Sequence, residues 1–541
     1  MRGLGRFAAM LVVIGAAACA PRPAPQASAS APPKPTVTPQ NPQENPEDIR
    51  ARMPFRPTPL DRESKFPPPQ QSEEEEARTS NPPAEPELLH GEPAVLLDGK
   101  PFPERIPYEP ALPRSQRTRY VTEDASGPGD GSREHPWKDL QVALCSLEPG
   151  DRLVVGAGIY AGSFHIAGDC RNGTAEDPIQ VFARHAFLKS SGSGDVLTVE
   201  RAHWQFWEVQ IALLDSESAG FVTRGPGAHD IQVDQSHIYE GKGPAVRLAA
   251  GSSRITLSNC HIHQSMGVQI DAGTSQITLV NDHIHHNRSA SVTIGGGDAT
   301  EPASGIAITG SRIHNDRGPA LRLSRCSGVT VTRTRMSNYR PDEDDKTGGE
   351  AIVVGSGCRN VVFSENSVLE ASTAVHLEGG ASPPSEGTTF RRNYFSNRLT
   401  ADSAGFVVDG GTRAKIVNNV IDHYQEPFRI AAAGALGLVI ANNLVIDPAI
   451  TFALAAPASV LLFDYNVFGS ATPLRARIGS QEVDAATWMK AKMPHSRVIP
   501  GLGLEGGDLG KVVGFSPVDA GKAVDGVPYN GVAPDIGVAE R

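Results

Sequence analysis

The chain has 541 residues and a net charge of −11 at pH 7, and 24 of its 44 prolines lie between Pro21 and Pro113, so its folded mass is smaller than its length implies. The acidic balance excludes a nucleic acid as the main partner, because no stripe of basic side chains is available to displace counterions. The remaining stretch of about 420 residues is rich in Gly, Val, Ile, Asn and Thr and is long enough for one large core.

The first 19 residues have the chemistry of an export signal. Arg2 and Arg6 precede an apolar run over residues 7–18, and Cys19 follows directly. This run is too short to span a bilayer, which predicts a signal peptide rather than a membrane helix. We expect an exported protein, lipid-anchored at Cys19 to the cell envelope, at the outer membrane or cell surface, and touching a membrane only through that anchor. Because Ala16 stands where a lipobox usually has leucine, ordinary cleavage of the signal is the alternative.

Residues 20–117 are predicted to be a disordered linker. The stretch is rich in proline, alanine and glutamate, and it cannot bury enough apolar surface to offset the entropy of ordering its backbone. Proline makes such a segment extended and semi-rigid. A linker of this kind would hold the folded domain away from the membrane surface.

From Val233 onward the sequence repeats a six-residue pattern of the form apolar, any, any, small or Asn, any, apolar. The matches are Val233–Ile238, Leu257–Ile262, Leu279–Ile284, Ile308–Ile313, Val331–Met336, Phe363–Val368, Phe390–Phe395, Ile416–Ile421, Ile440–Val445 and Phe463–Phe468. A second short strand with alternating apolar residues lies between successive matches, for example Val375–Leu377. One such repeat cannot close a core alone, but stacked repeats can, which predicts an all-β parallel β-helix of about ten coils.

The fourth position of the later repeats is asparagine in every case. Each asparagine amide can donate to one neighbouring coil and accept from another, so a buried ladder at the bend is chemically reasonable. The predicted ladder consists of Asn366, Asn393, Asn419, Asn443 and Asn466.

Both ends of this region resemble a known superfamily. The opening, from Tyr120 through "GPGDGSREHPWKDLQVALCSLEPGDRLVVGAGIY", resembles the start of bacterial pectate-lyase-like β-helix proteins, and the close, "TWMKAKMPHSRV" with "GFSPVDAGKAVDGVPYNGVAPDIGVAE", looks like their tail. The resemblance implies a right-handed solenoid over residues 118–470 with a short N-terminal cap helix, and a C-terminal capping segment over 471–541. It does not fix an activity, because the superfamily mixes lyases, hydrolases, epimerases, esterases and non-catalytic surface proteins.

The number and positions of the cysteines are typical of a protein in an oxidising compartment. Cys326 and Cys358 occupy equivalent places in successive repeats, and Cys145 and Cys170 lie close in sequence near the start of the fold. We expect disulfides within both pairs, with Cys260 buried and free. The alternative is that all five are small apolar core residues.

Histidines are concentrated in the strands just after the bends. His261, His263, His283 and His285 form two His-x-His pairs in adjacent coils, on the outward face. Neutral imidazoles that converge in this way can bind a transition metal. The alternative is a solvated imidazole ladder that results from repeat duplication.

The second strand of each repeat presents another outward row. Glu378 and Asp409 are predicted to stand about 5 Å apart in adjacent coils, flanked by His376 and Arg429. Two such carboxylates either share a proton or hold Ca²⁺, and the acidic loop after Arg340 is a second candidate for weak Ca²⁺ binding. The alternative is an exposed acidic patch.

These residues support two hypotheses about function. In the first, the protein engages an extended polysaccharide along its outward strands and acts as a lyase or hydrolase through the Glu378 cluster, with Arg247, Asp271 and Arg322 as further substrate-binding residues. In the second, it is a non-catalytic envelope or adhesion protein that binds glycan or protein. In both it is expected to be a monomer.

Overall fold

The computed structural model describes residues 95–104, 106–110, 114–191, 194–214, 216–340, 349–379, 383–399, 402–411, 413–431, 436–455, 460–470 and 473–539. The signal peptide and Cys19 lie outside these residues. No helix in the described ranges is long and apolar enough to cross a bilayer.

The described chain winds into a parallel β-helix of three 14-stranded sheets. Sheet I contains Arg117–Val121, Asp151–Val155, Ile179–Phe182, Trp204–Trp207, His229–Asp234, Ser253–Ser258, Ser275–Val280, Ala303–Thr309, Cys326–Thr332, Val362–Ser364, Thr389–Arg391, Lys415–Val417, Leu438–Ala441 and Val460–Asp464. Sheet II contains Gly158–Ala161, Ala186–Lys189, Gln210–Ala212, His237–Tyr239, His261–His263, His283–His285, Arg312–His314, Arg335–Tyr339, Ser367–Ala371, Tyr394–Ser396, Val420–Asp422, Leu444–Ile446, Val467–Gly469 and Arg497–Val498.

Sheet III completes each coil. It contains Phe164–Ile166, Leu197–Val199, Phe221–Thr223, Val246–Leu248, Val268–Asp271, Val292–Gly296, Leu321–Leu323, Glu350–Val354, Thr373–Leu377, Ala404–Val408, Glu426–Ile430, Ile450–Leu454, Arg475–Ile478 and the antiparallel Gln481–Asp484. Two small hairpins, Leu96–Leu97 with Lys100–Pro101 and Gly503–Leu504 with Val512–Val513, lie outside these sheets. The solenoid has about 12 turns, slightly more than the ten predicted, because the first coils lack the repeat signature.

The core forms because equal positions of consecutive repeats stack. In sheet I, Ile255, Ile277, Ile306 and Val329 pair in register and are at most 1% exposed. Each coil therefore buries its inward side chains against the coil above and below, about 4.8 Å away.

A left-handed residue makes the bend between sheets I and II in most coils. The positive φ angles at this position belong to Gln235, Asn259, Asn281, Gly310, Arg333, Glu365, Arg392, Asn418, Asn442 and Tyr465. A single residue in this conformation turns the chain sharply. It always comes directly before the ladder position of the repeat.

The predicted asparagines form one buried column. Asn393 donates from Nδ2 to Asn419 Oδ1 at 3.0 Å, and Asn419 donates likewise to Asn443 Oδ1 at 3.0 Å. The same Oδ1 atoms accept from the backbone N–H of the preceding coil, and Asn366 and Asn466 extend the pattern at its two ends. Every amide in the column is thereby satisfied by the coils beside it.

Two helices close the ends of the core. Helix α1 (Leu140–Ser146) begins at Asp139, whose carboxylate accepts from Val142 N, and it buries Leu140 and Leu144 over the first coils. Helix α2 (Ala485–Lys492) begins at Asp484 and covers the last coils, with the Trp488 ring 5.0 Å from Phe452.

The linker ends earlier than residue 117, and this boundary is a correction. Val95 and Phe102 are buried in an outer apolar cluster on sheet II, which the C-terminal tail also covers with Ile536 and Val538. Farther along, Asn281 Nδ2 donates to Ile106 O at 3.0 Å. We call residues 95–104 and 106–110 the N-terminal strap. The sequence did not predict that this segment packs on the β-helix, because its few apolar residues are separated by prolines.

The cysteines pair in one place only among the described residues. Cys145 and Cys170 form a disulfide. The Cys326–Cys358 bond expected from the repeats is absent. Both thiols are free and buried, with their Sγ atoms 2.7 Å apart, which is longer than an S–S bond. Cys260 is buried and free, as its place in the repeat predicts.

Candidate functional site

The outward row of sheet III runs across eight consecutive coils. Its pairing order is Arg247, Gln269, Thr293, Arg322, Val353, His376, Val407 and Arg429. The strands hold these side chains in fixed order along one face. The polar side chains of this row are interrupted by Val353, which is fully buried, and by Val407.

His376 lies between two carboxylates in the middle of this row. Its Nδ1 atom is 2.7 Å from Glu350 Oε1, and its Nε2 atom is 3.0 Å from Asp409 Oδ2. Asp409 follows the strand of the next coil, and its backbone N–H donates to Leu377 O. The imidazole thus bridges three consecutive coils.

Glu378 extends the same cluster through an arginine. Arg322 Nη1 donates to Glu378 Oε1 at 3.0 Å, and Arg322 Nη2 also lies 4.0 Å from Glu350 Oε2. Glu378 and Asp409 occupy equal places in adjacent coils, as the register predicts. We call Arg322, Glu350, His376, Glu378 and Asp409 the sheet III cluster.

Two members of this cluster have shifted pKa values. The hydrogen bond that His376 donates to Glu350 raises the pKa of His376, and Asp409 adds to the effect, although partial burial opposes the shift. The same hydrogen bond lowers the pKa of Glu350, and the charge of Arg322 adds to the effect. His376 is therefore held as an imidazolium near neutral pH more readily than a free histidine is.

Arg429 does not join the sheet III cluster, and its predicted place there is a correction. Its Nε atom donates to Glu426 Oε2 at 2.7 Å, and Arg477 Nη1 donates to the other oxygen of Glu426 at 2.9 Å. Register alone placed Arg429 in the same row, but the carboxylate three residues earlier captures its guanidinium.

Two of the other predicted substrate-binding residues pair with each other. Arg247 Nε donates to Asp271 Oδ2 at 3.0 Å, three coils away from Arg322. The four arginines named so far on sheet III, which are Arg247, Arg322, Arg429 and Arg477, all have a carboxylate partner.

Sequence reasoning missed Glu350. It lies two residues before the apolar triplet that marked this strand, and the strand proves to begin at Glu350 itself. Glu350 could have been found from its register, because it aligns with Thr373, Ala404 and Glu426 at the starts of the next three strands.

A histidine array covers the outward face of sheet II. We define it as His237, His261, His263, His283, His285 and His314. Rings in equal positions stack nearly parallel, with centroids 4.7 Å apart for His237 and His261 and 4.9 Å apart for His261 and His283. The predicted four histidines thus lie together at the centre of a larger group.

Diagonal contacts join the two columns of this array. The Nε2 atoms of His261 and His285 are 2.6 Å apart, and those of His237 and His263 are 2.8 Å apart. One nitrogen of each pair must carry the proton and the other its lone pair, so both rings can remain neutral.

Burial and mutual proximity favour the neutral state throughout the array. Loss of solvent, with a smaller contribution from neighbouring histidines, lowers the pKa of His261 to about 4 and that of His237 to about 3. The same causes, together with the charge of Arg312, lower the pKa of His283 to about 2. Burial, with a smaller contribution from His286, lowers the pKa of His263 to about 4, although a hydrogen bond with Gln264 opposes the shift. Imidazoles that are unprotonated at pH 7 keep a lone pair for a hydrogen bond or a metal.

The Ca²⁺ hypothesis stays a prediction. Glu378 and Asp409 each contact a basic side chain, and most of the acidic loop after Arg340 lies outside the described residues.

Comparison with known proteins identifies the fold. The family model described as the right-handed beta helix region matches residues 219–395. Over these residues the chain is similar to right-handed β-helix proteins, and the sheet topology shows that the fold is a parallel β-helix. No curated protein matches this β-helix sequence.

Several solved structures resemble the β-helix. Pectate lyase Pel9A is 14% identical over 79% of this chain and 97% of its own, with a TM-score of 0.42. An alginate lyase from Paenibacillus sp. str. FPU-7 is 17% identical over 57% and 96%, with a TM-score of 0.39. A rhamnogalacturonan lyase is 12% identical over 60% and 84%, with a TM-score of 0.37.

Proposed function

We propose that this β-helix binds an extended polysaccharide along the outward face of sheet III. The observation that carries the proposal is the sheet III cluster, in which three carboxylates, an imidazole and a guanidinium from four consecutive coils contact one another on the outward face of sheet III. Carboxylate oxygens accept hydrogen bonds from sugar hydroxyls, and the regular coil spacing suits a ligand that is itself a repeating chain.

Charge pairing favours a neutral glycan over a polyuronate. A lyase that eliminates from a uronate needs a cation to neutralise the substrate carboxylate. Arg322 and Arg429 already contact Glu378 and Glu426, so an anionic sugar would have to compete with those partners. Hydroxyl groups can join such networks without breaking the ion pairs.

Hydrolysis of the bound glycan is the second candidate. Glu378 and Asp409 occupy equal places in adjacent coils, and His376, whose pKa is raised, contacts Asp409. Glycoside hydrolysis requires two carboxyl groups, one acting as the acid and the other as the base or nucleophile. Under this candidate Glu378→Gln would abolish the release of reducing ends from a polysaccharide that wild type binds, even at polymer concentrations that saturate the variant.

The binding test uses the secreted chain and a panel of neutral and uronate polysaccharides in affinity electrophoresis. We expect retardation by at least one neutral polymer, and we expect Glu378→Gln with Asp409→Asn to weaken it about tenfold or more. Glu386→Gln is the matched control, since Glu386 pairs with Arg413 away from this row. Equal retardation of wild type and the double variant, or none on any polymer, would overturn the proposal.

The envelope location belongs to the same proposal and rests on the export signal and Cys19. In a bacterial host, wild type should partition with membranes and Cys19→Ser should be released in soluble form. Release of wild type after signal cleavage would support the unanchored alternative.

A further inference from the structure

We propose that the histidine array on sheet II binds one divalent transition-metal ion of the kind that prefers imidazole, such as Zn²⁺, through three imidazoles that include His261. Two overlapping groups meet this description. His237, His261 and His263 form one, and His261, His283 and His285 form the other, with ligand atoms that all lie within 4.8 Å of one another in each group.

The distances allow an ion to enter with small side-chain rotations. Tetrahedral Zn²⁺ with Zn–N bonds of about 2.0–2.1 Å separates its ligand nitrogens by roughly 3.4 Å. The diagonal Nε2 pairs now lie 2.6 and 2.8 Å apart, so they would open by well under 1 Å. The strands fix the Cα positions by pairing His237 with His261 and His261 with His283, and only the torsions at the open face need to adjust.

The donor set selects the class of ion. Nitrogen-only ligands suit Zn²⁺, Ni²⁺ and Cu²⁺, whereas Ca²⁺ and Mg²⁺ require oxygen. The rings are half-buried, and their Nε2 atoms face one another in pairs, so an incoming cation meets ring nitrogens from more than one strand. Arg312, which pairs with His283, and Arg335, which pairs with Arg312 in the next coil, are unfavourable charges that the register places beside the array.

One ligand also has a hydrogen-bonding contact on its second ring nitrogen. His285 Nδ1 lies 2.6 Å from His286 Nδ1, while its Nε2 atom faces His261. A hydrogen bond on the second nitrogen fixes the tautomer and the ring plane of a ligand.

The shared residue sets the stoichiometry. A neutral imidazole has a single free lone pair, so His261 can serve one group at a time. The proposal therefore predicts one ion per chain, although two groups of three histidines are present.

A third group, His203, His229 and Asp230, is a weaker candidate. Arg254 donates to both oxygens of Asp230 at 2.8 Å, and its guanidinium would repel a metal ion. The histidine array lies on a different sheet from the sheet III cluster, so the metal proposal does not depend on glycan binding.

The test uses the full chain purified without an affinity tag, stripped with EDTA and titrated with ZnCl₂ by calorimetry. We expect one equivalent to bind with a dissociation constant of about 1 µM or lower. His261→Gln should weaken binding by about tenfold or more. The control His135→Gln, an exposed histidine outside the array, should bind as wild type does. Co²⁺ should give the visible absorption of a tetrahedral nitrogen site in wild type and lose it in His261→Gln.

Two further variants identify the ligands. Either His237→Gln or His283→Gln should weaken binding, according to which group holds the ion. If His261→Gln does not fold, the double variant His263→Gln with His285→Gln is used in its place, because it removes one ligand from each group. The proposal is overturned if wild type does not bind Zn²⁺, if His261→Gln or its replacement binds like His135→Gln, or if neither His237→Gln nor His283→Gln has an effect.

Discussion

His376 Nδ1 lies 2.7 Å from Glu350 Oε1, and this contact links the side chains of two adjacent coils of sheet III. The two groups are ionised together over only part of the pH range. The hydrogen bond between His376 and Glu350 therefore makes a contribution to stability that depends on pH. The rest of the fold is stabilised by burial and backbone pairing.

Replacing Glu350 by Gln should lower the pKa of His376 toward its ordinary value of 6.5. The raised pKa of His376 contributes stability that is complete below 6.5 and lost as pH rises through the folded value. The lowered pKa of Glu350 contributes stability above its ordinary 4.5 that is lost as pH falls through its folded value. The difference in unfolding free energy should therefore be greatest at pH 5–6 and remain under about 1 kcal/mol because the site is half exposed.

NMR titration of the His376 ring in wild type and Glu350→Gln measures this shift directly. Asp130→Asn, at an exposed turn, is a control that should leave His376 unchanged. An identical midpoint for His376 with and without Glu350 would contradict the expectation.

Asn419→Ala should destabilise the β-helix by about 3 kcal/mol, since it leaves buried partners of the amide unsatisfied in two coils. Among these are Asn393 Nδ2 and the carbonyl of Phe390. Urea unfolding of the variant measures the loss. Asn530→Ala, at an exposed position, should change stability by less than about 0.5 kcal/mol.

Asp282 occupies the ladder position of its coil, and burial raises its pKa to about 8. Its contribution to stability is complete below its ordinary pKa of 3.8 and declines as pH rises through about 8, on the order of 1 kcal/mol per pH unit. Asp282→Asn should remove this decline, because an amide carries no charge and matches the other ladder residues. A thermal melting series from pH 5 to pH 9 tests it, and parallel curves for both proteins would refute it.

The thiols can be counted by alkylation of the unfolded, unreduced protein. Cys260, Cys326 and Cys358 should be labelled, while Cys145 and Cys170 should be protected until a reductant is added. If only Cys260 were labelled, Cys326 and Cys358 would form the disulfide that the repeats predicted. Cys145→Ser should cost about 3 kcal/mol, since the bond closes a 25-residue loop.

The sequence was sufficient for the coil register, because each ladder residue and each histidine pair recurs at one place in the repeat. Asn393 stacks on Asn419, and His261 on His283, as their positions require. The sequence did not reveal the first coils, because neither a ladder residue nor a histidine pair recurs at their bends.

Register did not determine side-chain direction or long-range contacts. Arg429 lies in the same row as His376, but its side chain donates to Glu426. The rotamer of Arg429 determines this contact, and the register does not predict it. Glu350 precedes the apolar pattern that marks its strand. The N-terminal strap and the tail around Val538 pack on coils far away in sequence, and no local pattern encodes such a path.

The N-terminal strap determines where a pull on the preceding chain would be felt. Asp508 accepts from the backbone N–H groups of Asp98 and Gly99, and Leu509 N donates to Leu96 O, so the strap is fastened beside the last coils. Tension transmitted through the linker would reach these contacts before the first strand of the solenoid. A force on the chain before residue 95 would therefore act first on the contacts of Leu96, Asp98 and Gly99 and only then on Arg117–Val121.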